Sequence, residues 1–104
     1  MTPLSEKPTL TVSWYNLPGN KMANGDVFNS RDKHLAAHKD LPFGTPVKLT
    51  NPDNGKTLTV TITDRGPFVK GRDLDVSKAA AEFLGFTRKG VTQLQYEVLP
   101  QATS

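Results

Sequence analysis

The chain has 104 residues, of which 36% are apolar, 8% aromatic and 22% charged, with no cysteine and a formal net charge of +3. One domain with one core fits that length, and the missing thiols exclude a disulfide scaffold, thiolate metal sites, a cysteine nucleophile and a lipid-bearing cysteine within the chain. No apolar run approaches the roughly 20 residues that span a bilayer, and the scattered Lys and Arg form no basic cluster of the nucleic-acid-binding kind, which leaves a mild attraction to polyanions in general.

Residues 1–8 hold Pro3 and Pro8 and no apolar stretch of the signal-peptide kind, so they are expected to be a flexible N-terminal segment, and export is not written in them. From there to residue 99 the pattern is that of a single domain. Leu10, Val12 and Trp14 alternate with Thr11, Ser13 and Tyr15, which predicts a half-buried strand. Val47 and Leu49 alternate with Lys48 and Thr50, and Asn51-Pro52-Asp53-Asn54-Gly55 then predicts a tight reversal. The return strand has Leu58, Val60 and Ile62 on one parity and Thr57, Thr59, Thr61 and Thr63 on the other. One short helix is expected over Lys78–Leu84, with Ser77 as its cap and Gly85 ending it in a left-handed conformation. A last strand, from about Thr92 to Leu99, puts Leu94, Tyr96 and Val98 on one face, and residues 100–104 read as a flexible tail. Short strands, one short helix, eight Gly and eight Pro point to a mainly β fold, a small closed barrel without open sheet edges.

Period two carries the Leu58, Val60, Ile62 face on to Asp64, where the strand stops before Arg65-Gly66-Pro67. A carboxyl at the rim of an apolar interior is partly desolvated, which raises its pKa and suits a general acid. Asp64 as a turn cap, or paired with Arg65 or Arg72, is the plainer alternative. His34 and His38 stand four apart, as helical metal ligands do, but Leu41-Pro42-Phe43-Gly44 follows at once and the glutamate of HExxH is missing, so no metal is expected. A serine nucleophile served by His38 and Asp64 lacks its strand-turn-helix elbow. Asn24-Gly25-Asp26 supplies a second acid in a turn. Trp14, Tyr15, Phe43 and Phe68 are candidates for a sugar-binding floor or for the core.

Read together, Ser13-Trp14-Tyr15, Ala23-Asn24-Gly25-Asp26, Ala36-Ala37-His38-Lys39, Leu41-Pro42-Phe43-Gly44-Thr45, Asp64-Arg65-Gly66-Pro67-Phe68, Gly71-Arg72 and Asp75-Val76-Ser77 resemble, in order and over about Ser13 to Val98, the rare lipoprotein A family of bacteria. The resemblance implies a six-stranded double-psi β-barrel with one short helix. It also implies lytic transglycosylase activity on peptidoglycan in the cell envelope, cutting the β-1,4 bond between N-acetylmuramic acid and N-acetylglucosamine to leave a 1,6-anhydro end, with no cofactor. On that pattern Asp64 is the single acid that later serves as base, His38 orients it, and Asp26 stands where the family usually has Glu. Trp14, Tyr15 and Phe68 would meet sugar faces, while Lys39, Arg65 and Arg72 would meet substrate carboxylates. Asp in place of Glu shortens that side chain by one methylene, and a misplacement of about 1 Å costs about a hundredfold in rate. The family's lipidated cysteine and its second glycan-binding domain are not in this chain, which is expected to act as a monomer. Two alternatives stand beside this reading. One is a non-catalytic, expansin-like wall-binding or protease-inhibiting barrel; the other is a hydrolase with Asp64 as acid and Asp26 as base.

Overall fold

The computed structural model describes residues 8–15, 22–25, 27 and 31–100. Among the described residues, six strands and one helix follow in the order β1 (Thr9–Tyr15), β2 (Leu35–His38), β3 (Pro46–Thr50), β4 (Thr57–Asp64), β5 (Leu74–Ser77), α1 (Lys78–Leu84) and β6 (Val91–Val98). The strands close into a barrel of order β1-β5-β2-β4-β3-β6. Pairs β1/β5 and β2/β4 are parallel, and the other four pairs are antiparallel. The barrel is thus the closed, mainly β fold expected from strand patterning.

Alternation decides what the barrel encloses. Leu58, Val60 and Ile62 of β4, Val47 and Leu49 of β3, and Leu74 and Val76 of β5 are buried and meet in one cluster. Ala80, Ala81 and Leu84 of α1 join it. The helix has the expected ends: Ser77 Oγ accepts the Ala80 N–H, and Gly85, at φ +87°, lets the chain turn out of α1 where a side chain would strain. Two amides from the β3–β4 reversal close its last turn, with Asn51 Nδ2 and Asn54 Nδ2 donating to the Leu84 carbonyl at 2.7 and 2.9 Å.

Strands β2 and β5 were not among the elements read from the sequence. Each is four residues long, too short for a periodic signal, and in β2 the consecutive Ala36 and Ala37 are both buried. The expectations for residues 1–8 and 100–104 fall, except for Pro8 and Pro100, outside the described residues.

Candidate active site

Four neighbouring strands, β1, β5, β2 and β4, place one residue each in a cross-strand row. Ser13 pairs with Asp75, Asp75 with Ala37, and Ala37 with Asp64. Asp75 stands between Leu74 and Val76, both of which point into the core, so period two turns the row to the opposite face of the sheet. Asp64 reaches that face through an irregularity: Ala36 pairs with Ile62 but Ala37 pairs with Asp64, leaving Thr63 as an extra residue in β4. The uninterrupted alternation expected from Leu58 to Asp64 therefore ends at Ile62. A bulge moves the carboxyl from the core side to the row that holds Asp75.

Ala37, Asp64 and Asp75 of the row line a pocket of about 240 Å³. Tyr15, Ala37, Asp64 and Asp75 come from the strands, and Arg65, Phe68 and Arg72 from the connection between β4 and β5. Asp64 is half-buried, and its Oδ1 accepts the N–H groups of Ala23 and Arg65, both at 2.8 Å. The 22–25 segment is also held against the end of β4 by Asn24 N–H on the Thr63 carbonyl at 3.1 Å. Asp75 accepts the hydroxyl of Ser13, which is 2% exposed. Burial pushes the Asp75 carboxyl above the usual carboxylate range, against the opposing pull of Ser13 and Arg72. Burial also raises the Tyr15 phenol, helped by the Asp64 and Asp75 charges, so the ring stays a neutral phenol beside both acids. Phe68, 78% exposed, gives the rim an apolar face.

Arg65 is pinned where it stands. Its Nη1 donates to the His38 and Leu41 carbonyls at 3.1 and 2.7 Å, and its guanidinium lies 4.1 Å from the centre of the Phe43 ring. Arg72 therefore remains as the cation of the rim with the greater freedom to meet an anionic group.

Of the residues singled out in the sequence, Tyr15, Asp64, Arg65, Phe68 and Arg72 are brought together, and the other described candidates, Phe43 and His34 among them, do not line the pocket. Trp14 has the opposite parity, packs on the core and donates its indole N–H to the Thr87 carbonyl at 3.1 Å. His38 does not line the pocket. Its Nδ1 accepts the N–H groups of Asp40 and Leu41, each at 3.0 Å, which requires a neutral ring. Burial lowers its pKa, the Asp40 and Asp73 charges oppose that, and Arg65 and Lys39 reinforce it. His38 thus shapes the turn that holds Arg65 and touches the pocket only through that side chain. Lys39 is exposed and outside the pocket. Asp26 lies outside the described residues. The residue that sequence reasoning did not single out is Asp75. Its signal was the alternation Leu74-Asp75-Val76 between two core positions.

Comparison with known proteins adds three findings. A family described as "Lytic transglycolase" matches residues 7–96. The curated Endolytic peptidoglycan transglycosylase RlpA of Rickettsia felis is 47% identical over 97 residues, 88% of this chain and 42% of that protein. Its counterpart in Rickettsia typhi is 45% identical over 107 residues, 98% of this chain and 33% of that protein. The chain thus spans between a third and a half of these relatives' length. Among solved structures, the Streptomyces papain inhibitor (SPI) matches with a TM-score of 0.72 and 22% identity, covering 94% of this chain and 98% of the inhibitor. An apo Clavibacter michiganensis expansin matches with a TM-score of 0.70 and 21% identity, covering 95% of this chain and 53% of the expansin. Identities this low show the barrel fold that the chain shares with both, a double-psi barrel, and nothing of their activities.

Proposed function

This chain belongs to the lytic transglycosylase family, and we propose that it cuts the glycan strands of peptidoglycan. The bond broken is the β-1,4 link between N-acetylmuramic acid and N-acetylglucosamine, and the product carries a 1,6-anhydro end. One observation carries the reading: in a chain 45–47% identical to curated peptidoglycan transglycosylases, Asp64 and Asp75 face one pocket whose rim holds an exposed aromatic ring and a cation. A substrate of that kind places the chain's work in the cell envelope.

The reaction needs a proton on the leaving oxygen and a base for the attacking hydroxyl. No water is consumed, because the C6 hydroxyl of the same sugar attacks its own anomeric carbon. In the one-acid form, Asp64 protonates the glycosidic oxygen and then takes the C6 hydroxyl proton. The two backbone N–H groups on its Oδ1 fix the carboxyl plane and leave Oδ2 to the substrate. Phe68 would pack on a sugar face, where ring C–H groups meet an aromatic surface. Arg72 would meet a lactyl or peptide carboxylate, and Arg65 would hold the wall of the site through its bonds to His38 and Leu41.

Incubation with purified sacculi, followed by mass spectrometry of the soluble fragments, tests the proposal. Muropeptides one water lighter than reducing-end products are expected. Reducing ends would instead mean hydrolysis, and co-sedimentation without release would mean a binding module.

A further inference from the structure

Asp75 occupies a place the one-acid scheme does not use. It stands across Ala37 from Asp64, and two strand spacings separate the two Cα positions by roughly 9–10 Å. Ala37 carries only a methyl group, so the space between the two acids stays open to the pocket both line. The groups that face Asp75 are Ser13 and Tyr15 from β1, Asp64 from β4, and Arg65 and Arg72 from the connection after β4. His38 of β2 has the other parity. Ser13 donates its hydroxyl to Oδ1, which fixes the carboxyl and leaves Oδ2 for a proton. Asp64 is built differently, with one oxygen held by two backbone N–H groups. A single carboxyl would have to reach both the glycosidic oxygen and the C6 hydroxyl. Two carboxyls on either side of Ala37 need reach only one each.

We propose that Asp75 is the general acid of the reaction, donating its proton to the glycosidic oxygen while Asp64 takes the proton of the C6 hydroxyl. The assignment rests on the transglycosylase reading above and divides its two proton transfers between two residues. The Asp75 O–H bond breaks as the bond from the anomeric carbon to the bridging oxygen breaks, and the electron pair leaves with the N-acetylglucosamine 4-oxygen. The C6 oxygen forms the new bond to the anomeric carbon and its proton goes to Asp64. Asp75 ends ionised and Asp64 protonated, and exchange with solvent resets the pair. The burial that pushes the Asp75 carboxyl up keeps a proton on it to higher pH than a free aspartate would, which suits a donor.

Three measurements on the intact chain test this. In carbon NMR of the aspartate carboxyls, Asp75 is expected to titrate above 3.8, the free value; titration at or below it overturns the assignment and needs no variant. Asp75→Asn is expected to slow anhydro-product release by about a hundredfold or more, with co-sedimentation on sacculi retained. Release within a few-fold of wild type overturns the assignment alone. Ser13→Ala removes a hydrogen bond that holds the Asp75 carboxyl down, so the alkaline limb of the rate profile is expected to move to higher pH. A residue that only shaped the pocket would leave that limb in place, and an unmoved limb overturns the assignment. A wild-type chain that binds sacculi and releases no anhydro ends overturns the transglycosylase reading and this assignment together.

Discussion

Under the proposed function Asp64 has a chemical as well as a structural task, and the two reside on different atoms, so two substitutions separate them. Oδ1 accepts the Ala23 and Arg65 N–H groups, both at 2.8 Å. Asparagine keeps a carbonyl oxygen that can accept both bonds; alanine removes the acceptor. Hydrogen bonds to a charged group contribute about 1.5–3 kcal/mol each when shielded. Asp64 is half-buried and Ala23 exposed, so water replaces part of that, and we expect Asp64→Ala to cost about 1–2 kcal/mol in all. For a domain near 100 residues that lowers the melting temperature by about 4–16 °C. Asp64→Asn is expected to stay within about 1 kcal/mol of wild type, because the acceptor geometry survives. On sacculi both variants are expected to lose product release by at least about a hundredfold, the range for removing a general acid or base. Thermal melts followed by circular dichroism, alongside mass spectrometry of released muropeptides, read the two effects separately. If Asp64→Asn releases anhydro products at the wild-type rate, Asp64 is a turn-holding residue and the chemistry lies elsewhere. If it melts as low as Asp64→Ala, the atom-by-atom division of labour is wrong.

Three further outcomes follow from the packing and charge. Asn51 is 4% exposed, donates to the Leu84 carbonyl at 2.7 Å and accepts the Asp53 N–H at 3.0 Å; Asn51→Ala is expected to cost about 2 kcal/mol in a urea melt, and the exposed Asn54→Ala about half that. His38 accepts two N–H groups only when neutral and its pKa is lowered from 6.5. The folded chain therefore binds that proton less readily than the unfolded one, and stability held above pH 6.5 is lost as pH falls below it. Urea melts of His38→Gln between pH 7.5 and 5 are expected to show a flatter decline than wild type, and equal slopes would refute this. Asp75 is raised from 3.8, so its ionised form is a burden to the folded state that grows as pH rises through the folded value. Asp75→Asn is expected to melt at or above wild type at pH 7, with the gap closing below pH 3.8, and a lower melting temperature at pH 7 counts against that view.

How much of this was readable beforehand depended on the length of each signal. Strands β1, β3, β4 and β6 and the capped helix were legible because five to eight residues suffice for a period-two or capping pattern. Strands β2 and β5 were not, at four residues each. Asp64 was found through parity, yet its final direction depended on the extra Thr63, and a one-residue slip in pairing leaves no mark in composition. Trp14 and His38 look like site residues by type, but their parity sends them away from the pocket. The companion acid, Asp75, was missed, because β5 is too short for its alternation to be read. What singled it out was its neighbours Ser13 and Ala37, one 62 and the other 38 positions earlier in the chain.

The row across the sheet has a temporal consequence. Ser13, Tyr15 and Ala37 precede the β3–β4 reversal, whereas Asp64 and Asp75 follow it, and the strands from the two halves interleave as β1-β5-β2-β4. A polypeptide emerging from the ribosome owns no competent cleft until residue 75 has threaded between β1 and β2. Partial translation products and clipped halves consequently lack the Asp64–Asp75 pair, and whatever the pocket does begins only with completed wrapping.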